Sequence, residues 1–231
     1  MKKLFRRRYY DFFSRFYDRF VALHSGDRGG ALREEFAAIT GLRKGGLALD
    51  ICTGTGSLLP CLDRHVGAEG VVFGIDFSMG MLRAAKTKTA IHPTIHLVQA
   101  EATALPFKSE TLDLVTCSHA FYELKGDSVD RCLREVLRVL KGGGRFVMME
   151  HDVPKSFFVR VLFYLRILCM GSRSALAILR DEEAIFRAQF ACVMRTKTNR
   201  GGSKIFICQK RVESDSCDDG VVSEERRWAL G

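Results

Sequence analysis

Residues 47–60 read LALDICTGTGSLLP. An apolar run ends in Asp50, and a short Gly/Thr loop leads into an apolar stretch with helical spacing. A strand, a glycine loop and a helix in this order form the unit that holds a nucleotide-like ligand in open α/β sheets, beyond the carboxyl end of the strand. A P-loop would close on Gly-Lys-Ser/Thr, and this loop has no lysine. A dinucleotide fingerprint needs a third glycine, and Leu59 stands in its place. The charge at Asp50 favours a third ligand. A carboxylate at the loop mouth repels a pyrophosphate and suits a ligand with a cationic end, while Asp76, closing VVFGID, can accept from ribose hydroxyls. S-adenosylmethionine has that layout, and Gly54 and Gly56 would let backbone approach it closely. The competing reading is that Asp50 merely caps the adjoining turn.

Outward from the loop, short apolar runs alternate with helical patterns. Strand-like runs are LALDI, VVFGI (71–75), TIHLVQ (94–99), LDLVTC (112–117) and RFVMME (145–150). Helices are expected over 57–65, 78–89 and 128–141, the last capped by Asp127 or Ser128 and stopped by Gly142, Gly143 and Gly144. This alternation predicts an α/β, doubly wound, mostly parallel sheet. After residue 150 come an apolar helical segment (156–170) and a more polar one (181–190). Two runs joined by NRGGS, 191–198 and 204–210, then read as an antiparallel hairpin. The expected organisation is an N-terminal helical cap (1–40), a Rossmann-like domain (41–210) and a disordered tail (211–231).

Composition narrows the function classes. Hydrophobic residues make up 47% of the 231, enough for a full core, and the formal net charge of +9 favours an anionic partner. The excess is concentrated in residues 1–20, where seven basic residues face two acidic ones. In that arm Phe5, Tyr9, Phe12, Phe16 and Phe20 form one helical stripe, widened by Tyr10, Phe13 and Tyr17. Arg7, Arg8, Asp11, Ser14, Arg15, Asp18 and Arg19 fall opposite. Such a helix can lie on an anionic lipid surface or pack its aromatic face over the ligand cleft. The charged residues within the arm exclude a signal peptide. FFVRVLFYLRILCM (157–170), broken by Arg160 and Arg166, is too short to cross a bilayer. None of the eight cysteines forms a C-x-x-C pair, so no zinc or other metal site is expected, and reduced thiols suit a cytoplasmic protein.

Taken in order, the motifs resemble those of the class I, Rossmann-like S-adenosylmethionine-dependent methyltransferases, nearest the ubiquinone/menaquinone biosynthesis C-methyltransferase branch. LDICTGTG resembles the family's first motif with Cys52 in place of its first glycine, and GIDFSMGML resembles the ribose-binding turn. QAEATALPF resembles the adenine-side loop, LDLVTCSHAFYEL the fourth strand and its exit, and LREVLRVLKGGGRFVMME the helix and fifth strand. The resemblance runs from about Tyr17 to Lys210 and implies a seven-stranded sheet with an N-terminal helical cap. It implies cofactor contacts from Tyr17, Asp50, Thr53, Gly54, Gly56, Asp76, Phe77, Glu101, Ala102 and Ser118. The quinone enzymes carry an Asn where this chain has Val21 and an Arg-Asn pair where it has Tyr122 and Glu123.

Methyl transfer from a sulfonium is an in-line displacement, so the protein chiefly aligns the reactants in a dry pocket. The exit of the fourth strand makes His119 and Tyr122 the first candidates for a catalytic role, with Glu123, Glu150 and His151 behind them; the bland alternative for His119 is a structural hydrogen bond. The text after that strand lacks the Asn/Asp-Pro-Pro-aromatic signature of base-directed enzymes, and Pro60-Cys61 is misplaced for cytosine chemistry, so nucleic acid is disfavoured. The expected acceptor is a small lipophilic molecule, a quinone precursor or lipid, taken by a cytoplasmic enzyme at a membrane surface. A soluble small-metabolite O- or N-methyltransferase, an NAD(P)-dependent oxidoreductase and a non-catalytic cofactor-binding regulator stay open as alternatives.

Overall fold

A computed structural model of the chain describes residues 7, 9–12, 14, 17, 30–124, 126–152, 173–199 and 202–212. The apolar segment 157–170, most of the basic arm and all but two residues of the expected tail lie outside them. In chain order the elements are α1 (Ala31–Ile39), β1 (Leu47–Ile51), α2 (Leu59–Val66), β2 (Val71–Asp76), α3 (Met79–Thr89) and β3 (Ile95–Gln99). There follow β4 (Leu112–Ser118), a 3-10 turn (Phe121–Glu123), α4 (Ser128–Val139), β5 (Leu140–His151), α5 (Arg173–Arg187), β6 (Cys192–Lys197) and β7 (Ser203–Gln209). The seven strands form one sheet in the order β3-β2-β1-β4-β5-β7-β6. β1 to β5 run parallel, while β7 pairs antiparallel with both β5 and β6. The expected hairpin is therefore present.

Strand residues alternate between two apolar layers, as the pleat requires. Leu49, Ile51, Val115, Cys117, Phe146, Met148 and Phe206 meet α4 and α5 through Leu133, Val136 and Phe186 on one face. Ala48, Val72, Leu114, Val147 and Ile205 meet Phe36, Leu59 and Leu62 of α1 and α2 on the other. Burial on both faces explains why these strands read as nearly continuous apolar runs. Among the described residues, no helix is long and apolar enough to cross a membrane.

Two local expectations need correction. Asp127 makes no capping hydrogen bond to α4; its carboxylate instead accepts from Arg131 Nη2 at 3.3 Å, one turn on. The glycines 142–144 do not stop that helix. α4 ends at Val139 because Leu140 is already extended (φ −70°, ψ 135°) and pairs with Leu112 at the start of β5. The pairing then jumps to Leu114↔Arg145, so the glycines occupy a bulge within the strand. Gly143 there has φ +76°, and a Cβ on Gly144 would lie 2.9 Å from Lys141 O, so the bulge needs residues without side chains.

Candidate cofactor and acceptor site

The sheet order reverses between β1 and β4, and the carboxyl ends of these strands open the crevice in which such sheets bind ligands. The loop leaving β1 turns through left-handed backbone at Cys52 (φ +54°), Gly54 (+56°) and Gly56 (+70°). Cys52 thus replaces a glycine at a position whose conformation costs an ordinary side chain about 1 kcal/mol or more. The two glycines differ in purpose. A Cβ on Gly56 would sit 2.7 Å from Ala85 Cβ, so Gly56 lets α3 pack against the loop. A Cβ on Gly54 would meet nothing nearer than Tyr17 Cε1 at 4.0 Å, so Gly54 borders open space beneath that ring.

Asp50 is deeper than a loop-mouth carboxylate, only 1% exposed. Its Oδ1 accepts from Thr116 Oγ1 at 2.7 Å, and its Oδ2 has no hydrogen-bond partner among the described residues. Burial, with the charge of Asp76, raises its pKa to about 6 against the pull of the Thr53 and Thr116 hydroxyls. A buried, unsatisfied carboxylate oxygen facing the switch point is a standing demand for a donor or cation. It is not a turn cap. Asp76 is differently employed: Oδ2 accepts from Gly54 N at 3.0 Å and Oδ1 from Ser78 N at 2.8 Å, tying the glycine loop to the start of α3. A carboxylate oxygen can in general accept more than one hydrogen bond.

The described residues of the N-terminal arm lie over this loop, by Tyr10 and Tyr17 of the expected aromatic face and also by residues expected opposite it. Tyr9 and Phe12, on the expected inward stripe, are 51% and 64% exposed, whereas Asp11 and Ser14, on the expected outer face, are docked. The reason is the start of α3, which offers hydrogen-bond donors and a gap. Asp11 Oδ1 accepts from Ser78 Oγ at 2.6 Å and from Gly80 N at 2.8 Å. Gly80 is closely covered, since a Cβ there would lie 2.6 Å from Asp11 Cα and 2.7 Å from Asp11 O. Partial burial works against the Asp11 carboxylate, but the Ser78 and Gly80 hydrogen bonds and the charges of Arg7 and Arg83 hold its pKa below the ordinary value. One residue earlier, the Tyr10 ring packs edge-on to Phe77 at 5.4 Å and its hydroxyl donates to Glu123. Tyr10 so bridges the two sides of the crevice.

On the far side of the crevice, His119 follows β4 in left-handed backbone (φ +52°), anchored by its N–H to Met149 O at 2.8 Å. His119 Nδ1 lies 3.6 Å from Oε1 of the fully buried Glu150, too far for a hydrogen bond, and its ring lies tilted by 31° against that of His151 at 4.3 Å between centroids. Burial raises the Glu150 carboxyl, while His151, Lys204 and the Tyr122 amide oppose the rise. Tyr122 is itself buried, its ring 6.3 Å from that of His151. The ligand atoms of His119, Glu150 and His151 come within 4.8 Å of one another. Geometry alone neither supports nor excludes the expected absence of a metal site: these three side chains are close enough to share one ion, and the nearby Lys204 ammonium also acts on Glu150.

The remaining sequence candidates surround these two halves. Ser118 ends β4, paired with Met149; Thr53 donates its N–H to Ile75 O at 2.9 Å. Phe77 sits under Tyr10, Ala102 is buried with its methyl in the core, and Glu101 is exposed on the rim, bridged to Ala104. Sequence reasoning missed Asp11, Thr116 and Lys204. A usable signal existed for Lys204, a lysine opening an otherwise apolar strand.

The model of the ubiE/COQ5 methyltransferase family matches residues 7–171. Demethylmenaquinone methyltransferase of Staphylococcus aureus (strain MRSA252) is 38% identical over 141 residues, 61% of this chain and 58% of that protein. The chain therefore spans less than two thirds of the curated relatives it matches. A SAM dependent methyltransferase structure from Aquifex aeolicus superposes with a TM-score of 0.58 at 20% identity, covering 77% of this chain and 88% of that one. One from Methanococcus maripaludis, described as S-adenosyl-l-methionine-dependent, gives 0.62 at 17% identity, with 92% and 95% covered. The structural likenesses carry the Rossmann-like fold, and the match over residues 7–171 carries the kinship: the chain belongs to the ubiE/COQ5 methyltransferase family.

Proposed function

We propose that the chain is an S-adenosylmethionine-dependent methyltransferase acting on a small lipophilic acceptor of the hydroxylated quinol type. The observation that carries the cofactor reading is the orphaned Oδ2 of buried Asp50 at the switch point, beside a loop that leaves Gly54 open under Tyr17. Asp50 would receive the cationic end, and Asp76 the ribose hydroxyls. Phe77, Glu101 and Ala102 would line the adenine side, with Thr53, Gly54, Gly56 and Ser118 forming the floor and Tyr17 the cover. When bound, the cofactor supplies an activated methyl group and its own leaving group.

The chain's own chemistry is then proton handling and exclusion of water. His119 takes the acceptor's hydroxyl proton on Nε2, since Nδ1 faces Glu150. Buried Tyr122 and His151 wall the pocket. A quinol-type acceptor agrees with the kinship to demethylmenaquinone methyltransferase. Such acceptors reside in lipid, and the exposed Tyr9 and Phe12 beside Arg7 suit an arm that rests on an anionic bilayer from the cytoplasmic side. Nucleic acid is not the partner.

The test is methyl transfer from labelled S-adenosylmethionine to a reduced demethylnaphthoquinone in anionic vesicles. The labelled methylated quinol is the expected product. Calorimetric binding of NADH without binding of S-adenosylmethionine would overturn the reading, and transfer to water-soluble phenols alone would overturn the lipophilic acceptor. Replacing both Tyr9 and Phe12 by Ser is expected to reduce co-sedimentation with anionic vesicles at unchanged cofactor affinity.

A further inference from the structure

The glycine loop opens on a half-buried thiol, at a left-handed position that would suit glycine. Along β1 the pleat sends Leu49 and Ile51 into the layer that meets α4, and Ala48 into the opposite one. Continued by one residue, that alternation would send Cys52 the way of Ala48. The φ of +54° breaks it, and Cys52 packs into the α4 layer. Two more thiols lie there, Cys117 of β4 and Cys132 of α4, both fully buried. Cys117 stands across the parallel ladder from Ile51, the residue before Cys52. Strand spacing and rise then put the Cys52 and Cys117 Cα atoms about 6 Å apart, a usual separation across a disulfide. The two side chains meet as a hydrogen-bonded pair of free thiols.

The two sulfurs differ in freedom. Cys117 sits within the sheet, its strand paired to Ile51 on one side and to Met148 on the other. The hydrogen bond to Cys52 and burial push its thiol well up, so Cys117 keeps its proton. Cys52 is half-buried and lies beyond the end of β1, so a small oxidant meets it first and its backbone can yield. Closing a disulfide draws the sulfurs from contact to about 2 Å. β4 cannot follow without disturbing two ladders, so the loop moves. That loop carries Thr53, whose N–H donates to Ile75 O, and Gly54, whose N–H donates to Asp76. The displacement falls on the crevice beside Asp50.

We propose that Cys52 and Cys117 form a reversible disulfide under peroxide, and that this bond displaces the glycine loop and weakens cofactor binding. The inference rests on that loop as the cofactor seat. The Cys52 sulfur attacks the peroxide O–O bond and becomes a sulfenic acid, its thiol proton leaving with the departing oxygen as water. The Cys117 sulfur then displaces the sulfenic hydroxyl, and its own proton leaves with that hydroxyl as a second water. Two thiols are oxidised to one disulfide, and one peroxide is reduced to two waters. A dithiol reductant reverses the bond by exchange at the same sulfurs. Methyl transfer to a quinol would thus pause under conditions that oxidise quinols.

The experiment treats the full chain with hydrogen peroxide, blocks the remaining thiols with iodoacetamide and maps disulfides by mass spectrometry of unreduced peptides. Calorimetry with S-adenosylhomocysteine is run on reduced, oxidised and re-reduced protein. A peptide pair joining Cys52 to Cys117 is expected, with binding weakened at least about tenfold, the scale of one lost hydrogen bond to a charged group. Dithiothreitol should reverse both changes. Cys52→Gly, which suits the left-handed backbone, should abolish the link and the response to peroxide. Cys117→Ala should do the same, so misfolding of either variant leaves the question decidable. Cys192→Ser, at an exposed cysteine, should keep both. Cys52 recovered as a sulfenic or sulfinic acid without the link, or joined to Cys132, overturns the proposal, as does the link with unchanged affinity. Reduced protein that binds no S-adenosylhomocysteine overturns the cofactor reading and with it the effect on binding, whereas the disulfide map needs no ligand.

Discussion

The two sides of the crevice hold their buried carboxylates in opposite ways. On the β1–β2 side, Asp76 accepts two backbone amides, from residues two and 22 positions away, within two successive strand-loop-helix units. On the β4–β5–β7 side, Glu150 answers to His119 across one strand boundary and to Lys204 across another. The first arrangement is backbone geometry. The second is a cluster of ionisable side chains. Asp50 lies between them: it is on the cofactor side, but held by a threonine of β4.

If the halves are separable, damage to one should spare the other. The largest effect is expected at His119. His119→Ala should lower kcat about 100- to 1,000-fold, the usual range for loss of a general base, while calorimetry finds the S-adenosylmethionine Kd within about twofold of wild type. Weakened cofactor binding of the same size would show that the comparison is false and that His119 belongs to both halves.

Asp50→Asn should do the reverse and reveal a trade between stability and binding. Loss of one partner of a buried charge pair predicts roughly 100-fold weaker S-adenosylmethionine binding. The sign of the stability change follows from the raised folded pKa of about 6. The folded state binds the Asp50 proton more tightly than the unfolded chain, so stability is greatest at low pH and is lost as pH rises from near 4 towards 6. At neutral pH the ionised carboxylate costs the fold about 3 kcal/mol at most, and Asn removes much of that. Urea unfolding of the ligand-free protein should thus show the variant more stable at neutral pH and equal to wild type below about pH 4. The same titration makes wild-type cofactor affinity fall as pH drops below about 6.

The contrast also explains what could be read from the sequence. The fold was legible because burial on both faces writes each strand as a short apolar run, and because the order of runs and helical patterns fixes the crossovers. The glycine loop and its carboxylates were legible as one unit because Asp50, Gly54, Gly56, Asp76 and Phe77 sit within one short stretch. The glycine bulge of β5 was misread because three glycines after an amphipathic helix signal a helix stop as well as a bulge. The arm's docked face was read only in part: Tyr10 and Tyr17 of the aromatic face pack inward, but hydrophobic periodicity carries no sign that Asp11 and Ser14 dock on the polar donors at the start of α3. The ion pair of Lys204 with Glu182 was invisible, since their meeting depends on where β7 and α5 settle against β5.

The smallest expected effect tests whether the arm belongs to the cofactor half. Gly80 is the second residue of α3, where alanine would normally strengthen a helix by up to about 1 kcal/mol. Here its Cβ would strike Asp11 backbone atoms at 2.6 and 2.7 Å, which cannot rotate away as a side chain could. Gly80→Ala should therefore lift the arm, break the Asp11 hydrogen bonds to Ser78 and Gly80, and withdraw Tyr17 from above Gly54. Losing about one net hydrogen bond's worth of cover predicts a fivefold to tenfold rise in the S-adenosylmethionine Kd, with thermal stability unchanged or slightly higher. Asp11→Asn, which keeps the shape but weakens the acceptor, should give a smaller rise in the same direction. Binding unchanged in Gly80→Ala would place the arm outside the cofactor half, and a lowered melting temperature would show that the variant disturbs the sheet as well as the cover.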